Sequence, residues 1–115
     1  MIFKKITVIT RKENLMPLRE ALVNIGVDGM TVTPVEGSGV QNGVITYVED
    51  GKPKLHLLPK VKIEMMVACS LEDNIINVVK GICHTGRVGD GKVFVEKEKG
   101  MVLKIRTNDE NEQAL

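Results

Sequence analysis

Residues 60–67, KVKIEMMV, alternate: Val61, Ile63, Met65 and Val67 fall on one side, and Lys60, Lys62, Glu64 and Met66 on the other. A period of two puts every second side chain on one face of a sheet, so this stretch is a half-buried strand with one face against a core. The core must then come from segments of other periodicity.

Two such segments exist. In NLMPLREALVNIG, Leu15, Leu18, Leu22 and Ile25 recur at helical spacing. Asn14 can cap the start, Pro17 is tolerable in the first turn, and Gly26 suits the end. In SLEDNIINVVKGICHTG, Leu71, Ile75, Val78, Val79 and Ile82 form an apolar face. Ser70 and Asp73 resemble a capping box there, and Gly86 can end the helix. FKKITVIT (3–10) is a β-branched first strand, and GMTVTPVEG (29–37) a second, interrupted near Pro34. KVFVEKE (92–98) is the last main strand, and MVLKIRT (101–107) reads as one more short strand before a polar tail. Between residues 37 and 59 lies a long excursion with four glycines and two prolines. It reads equally as a functional loop or as a β-hairpin turning at Asp50-Gly51.

The order is strand, helix, strand, long loop, strand, helix, strand. Two β-α-β halves predict one α+β domain over residues 1–115, a ferredoxin-like βαββαβ sandwich with both helices on one face of an antiparallel sheet. The other face lacks a helix layer, and another copy of the chain is the simplest cover.

Composition narrows the function classes. A formal charge of +1 with interspersed signs argues against direct nucleic-acid binding. No apolar run approaches the length of a membrane span, and the start has no signal-peptide pattern, so the expected location is cytoplasmic. Cys69 and Cys83 lie outside any metal-ligand spacing and read as two buried thiols. His56 and His84 are isolated, and no paired carboxylates stand out; nothing marks an enzyme.

The chemistry concentrates in TGRVGDGKVFV (85–95). Gly89 and Gly91 permit φ > 0 and close approach of an anion to the backbone, and Arg87 and Lys92 add charge. The spacing is not that of a P-loop, and Asp90 is an odd neighbour for an anion. A phosphate cradle and a plain Gly-Asp-Gly turn both fit. Lys104 and Arg106 alternate along the last predicted strand, as a phosphate-binding pair or as cations guarding an edge.

Taken together, GMTVT (29–33), GSGVQNG (37–43), LPKVKIE (58–64), TGRVGDGKVFV and KIRT (104–107) resemble the PII signalling proteins, over about residues 3 to 107. The resemblance implies a homotrimer that binds ATP or ADP in clefts between subunits, with Mg2+ and 2-oxoglutarate as possible co-ligands. It implies a target-binding T-loop at about 37–57, a B-loop at 84–92 and a closing C-terminal segment at 101–115. By position, Gly89, Asp90, Gly91 and Lys92 would wrap the phosphates, and Lys104 and Arg106 would reach them from a neighbouring subunit. Thr31, Glu64 and Met66 would line the nucleoside end, with Gly39 and Val40 at the base of the T-loop. Gln41 would ligate the metal of Mg-ATP and complete the 2-oxoglutarate site, and Lys60 would pair with the 2-oxoglutarate carboxylate.

The departures are specific. Val40 stands where the family commonly has Arg, and Lys104 replaces Arg, losing the fork but keeping the charge. The position uridylylated in many members is Pro53, which excludes that modification here. The position that plugs the ammonium-transporter pore is Glu49, which argues against that partner, so the target protein is unknown. The resemblance thus implies a nucleotide-sensing regulator in nitrogen and energy control with a rewritten partner arm. The alternatives are a PII-like binder of another small ligand or ion, and a slow ATPase.

Overall fold

The structure, a computed structural model, describes residues 2–37, 47–49, 52–54 and 57–106. In chain order the elements are β1 (Phe3–Arg11), α1 (Leu15–Asn24), β2 (Thr31–Gly37), β3 (Tyr47–Glu49), β4 (Lys52–Lys54), β5 (Leu58–Ala68), α2 (Glu72–Cys83) and β6 (Lys92–Lys97), with short 3-10 turns at Lys12–Asn14 and Cys69–Leu71. The main sheet runs β2-β5-β1-β6 with every neighbouring pair antiparallel. This is the ferredoxin-like order.

The alternation at 60–67 sets the layers. Val61, Ile63, Met65 and Val67 are buried, and they pack with Ile6 and Val8 of β1 against Leu18 and Leu22 of α1 and Ile75 and Val79 of α2. Cys83 joins this cluster, whereas Cys69 is exposed, so only one thiol is buried as expected. Register places Lys60, Lys62, Glu64 and Met66 opposite Arg11, Ile9, Thr7 and Lys5 on the face away from the helices.

Gly26 ends α1 as expected, at φ +105. Gly26 N donates to Val23 O and Val27 N to Leu22 O, both at 3.0 Å, which closes the last carbonyls in a Schellman pattern. Neither expected N-cap forms. Asn14 is itself helical, at φ −83 and ψ −8, where its side chain is misplaced for capping; its Nδ2 donates to Thr10 Oγ1 at 3.0 Å instead. Before α2, the turn at Cys69–Leu71 displaces Ser70 from the cap position, and Cys69 N donates to Ile2 O at 3.0 Å. α2 stops at Cys83, with Gly86 beyond it at φ +83.

Two other expectations change, and one open alternative is supported. β2 runs unbroken through Pro34, because as an edge strand it bonds only to β5 and its outer side needs no N–H. β3 and β4 pair with Glu49 opposite Lys52, so the hairpin reading holds for those strands. Residues 101–106 form no strand: the alternation is there, but no strand among the described residues pairs with it, and Ile105 is 97 % exposed. Lys104 and Arg106 therefore do not share a strand face within this chain.

Candidate functional site

The loop between α2 and β6 folds around one carboxylate. Asp90 Oδ2 accepts from the backbone N–H of Thr85 at 2.7 Å and of Gly86 at 3.0 Å, and Oδ1 accepts from the Thr85 hydroxyl and from Arg11 Nη1, the latter at 2.6 Å. Arg11 Nη2 also donates to Val88 O at 3.2 Å, and Thr10 Oγ1 donates to Asp90 O at 2.9 Å. These donors, the Thr85 hydroxyl first, hold the Asp90 carboxyl well below the usual carboxylate range. Asp90 is thus occupied by donors of its own loop and by Arg11 of β1, which accounts for a carboxylate inside a predicted anion site.

The flanking glycines are required for different reasons. A Cβ on Gly91, at φ +108, would lie 1.8 Å from Ile9 O, so the loop presses onto the β1 backbone. A Cβ on Gly89, at φ +104, would meet Arg11 Nη2 at 3.2 Å and Lys60 Nζ at 3.4 Å. Lys60 Nζ donates to Gly89 O at 2.5 Å. The Gly-Asp-Gly turn is therefore real, and it is also lined by two cations. Lys92, exposed at the start of β6, holds its Nζ 5.9 Å from the centroid of the Phe94 ring. Asp90, Gly91 and Lys92 border a largely apolar cavity of about 390 Å³ between α2 and β6 that His84 and Cys83 also line.

The remaining expected residues lie elsewhere in the chain. Thr31 of β2 pairs in register with Glu64 of β5, and with Met66 they line a cavity of about 200 Å³. Glu64 accepts from Lys5 at 3.0 Å and lies 3.6 Å from Lys62; the Lys5 hydrogen bond chiefly lowers its pKa. Lys60 and Glu64 are four residues apart on one strand, a separation of about 13 Å. Lys104 and Arg106 line another cavity, of about 620 Å³, with Asp28. Gly39, Val40 and Gln41 lie outside the described residues, as do His56 and most of the 37–57 segment. Among the described residues no group of three or more His, Cys, Asp or Glu side chains could hold a metal.

Arg11, Thr10 and Thr85 are the participants that sequence reasoning missed. Thr85 stands inside the quoted motif and could have been recognised as a turn partner for Asp90. Arg11 lies 79 residues away, at the end of a strand whose register only the sheet reveals.

Comparison with known proteins agrees with this architecture. The family model described as "Nitrogen regulatory protein P-II" matches residues 3–109. The nitrogen regulatory protein GlnK of Escherichia coli K12 is 41 % identical over 112 residues, 97 % of this chain and 99 % of that protein. The nitrogen regulatory protein P-II of Klebsiella oxytoca is 38 % identical over the same shares. Among solved structures, the B. subtilis GlnK–ATP complex superposes with a TM-score of 0.77 at 30 % identity, covering 94 % of this chain and 91 % of that one. The sheet order, the loop built on Gly89–Lys92 and a match spanning nearly the whole sequence converge, and the chain belongs to the P-II family of nitrogen regulatory proteins.

Proposed function

We propose that this chain is a P-II signalling protein that binds ATP or ADP as an effector and regulates a target protein in nitrogen and energy control. The observation that carries the reading is the turn at Gly89–Gly91, whose two glycines carry no Cβ and which is flanked by Arg11, Lys60 and Lys92. Glycine backbone at 89 and 91, beside the ammonium groups of Lys60 and Lys92 and with the Asp90 charge paired to Arg11, suits a polyphosphate. The GlnK relative whose solved structure is described as an ATP complex supports the nucleotide.

Gly89, Gly91 and Lys92 take the phosphates, with Asp90 shaping the loop. Thr31, Glu64 and Met66 line the nucleoside end, with Gly39 and Val40 beside it, and Lys104 and Arg106 approach from a neighbouring subunit of a homotrimer. Lys60 offers its ammonium to a dicarboxylate such as 2-oxoglutarate, with Mg2+ held through the nucleotide and Gln41. The role is regulatory rather than catalytic, the location cytoplasmic, and the 37–57 segment the arm that meets the target. No helix among the described residues is long and apolar enough to cross a membrane.

Calorimetric titration with Mg-ATP, without and with 2-oxoglutarate, tests this. Saturable binding that Lys92→Ala and Arg106→Ala each weaken about tenfold or more supports it. Undetectable binding of both ATP and ADP rules it out and favours a P-II-like binder of another ligand. Tight ATP binding indifferent to 2-oxoglutarate keeps the nucleotide and removes the second effector.

A further inference from the structure

Asp90 poses an electrostatic problem for any site that takes phosphate at Gly89–Lys92. Its carboxylate sits between the two glycines that would face the ligand, and a like charge there opposes a polyphosphate. The chain answers with Arg11. One guanidinium nitrogen donates to the carboxylate at 2.6 Å and the other to Val88 O at 3.2 Å, so the fork grips the loop at two points. Both side chains are 21 % exposed, which leaves the pair partly shielded from water. The grip is anchored from behind: Thr10, adjacent on β1, donates to Asp90 O, and Asn14 donates to Thr10.

We infer that Arg11 is the positioning residue of the 84–92 loop: through Asp90 it fixes the turn and cancels the carboxylate charge beside the phosphate-binding surface. This rests on the nucleotide reading above. Arg11 then acts on affinity through Asp90. Removing it does two separable things: the loop loses a clamp, and an unneutralised carboxylate is left within the loop proposed to take the phosphates. The second effect alone is reversed by removing the carboxylate charge. Asn at position 90 keeps one oxygen to accept from Thr85 and Gly86 while carrying no charge.

The test compares wild type, Arg11→Ala, Arg11→Lys, and Arg11→Ala combined with Asp90→Asn in Mg-ATP titrations. Amide hydrogen exchange at Thr85 and Gly86 is followed in the nucleotide-free proteins. Arg11→Ala is expected to weaken binding about tenfold or more, and adding Asp90→Asn to restore a substantial part of that loss. Arg11→Lys keeps the charge without the fork, so it falls between the two; it also serves if Arg11→Ala folds poorly. The Thr85 and Gly86 amides should exchange faster in Arg11→Ala than in wild type. Wild-type affinity in Arg11→Ala overturns the inference while leaving the nucleotide reading intact. So does a loss in Arg11→Ala that Asp90→Asn fails to recover. Absence of binding by the wild type itself removes the nucleotide reading and the charge-cancelling role together.

Discussion

Gly91 and Gly26 share a backbone conformation, with φ of +108 and +105, yet face opposite surroundings. A Cβ at Gly26 meets nothing within 4 Å, while one at Gly91 would overlap the Ile9 carbonyl at 1.8 Å. Gly26→Ala therefore costs only the left-handed strain, about 1 kcal/mol. Gly91→Ala must also push the loop off β1 and is expected to cost about 2–4 kcal/mol, with nucleotide binding weakened as well. Urea unfolding of the two variants checks this; equal losses at both positions would mean that the close approach on Ile9 is not needed. The sequence marks both glycines as turn residues and cannot separate them, because the difference lies in a carbonyl some 80 residues away along the chain. The same distance hides Arg11. A local reading notices that Asp90 is out of place but has no means of finding its partner.

At the scale of elements, legibility follows the strength of local periodicity. β5, α1 and α2 were readable because each repeats its apolar pattern over several turns or residue pairs, and the buried residues match those patterns. The errors fall where one contact outweighs local preference. Thr10 draws the Asn14 amide away from its cap, and the Cys69–Leu71 turn takes the place of a Ser70 cap. Segment 101–106 has strand alternation without a strand to pair with among the described residues. The loop at 84–92 is a further element, and its stability has a defined pH dependence. The Asp90 carboxyl is held below the ordinary value of about 4, so its contribution is fully present above that value and is lost as pH falls toward the folded-state pKa. Asp90→Asn should then lower Tm by the same amount at about pH 8 and about pH 6, with the gap to wild type narrowing below about pH 4. Thermal unfolding across that range decides it: a gap that already varies between the two higher values would place the linkage on another group.

On the whole molecule, the sheet-borne candidate residues share the face that no helix among the described residues covers. Thr31, Lys60, Glu64, Met66 and Lys92 all fall there by register, together with Ile9 and Phe94, the latter 45 % exposed. In one chain the loop at 84–92, the Thr31–Glu64–Met66 group and the Lys104–Arg106 pair line three different cavities. Assembly of several copies on that face both covers apolar surface and offers a way to bring the separate groups into one cleft. The proposed homotrimer makes a prediction that a monomeric site cannot imitate. Lys92→Ala and Arg106→Ala chains, each assembled alone, should bind Mg-ATP poorly. When the two are unfolded together and reassembled as mixed trimers, an intact loop from one chain meets an intact Arg106 from its neighbour, and tight binding returns at a fraction of the sites. Analytical ultracentrifugation establishes that trimers form, and titration of the mixture counts the recovered sites. If both residues served a ligand held by a single chain, every chain in the mixture would still carry one defect, and mixing would restore nothing.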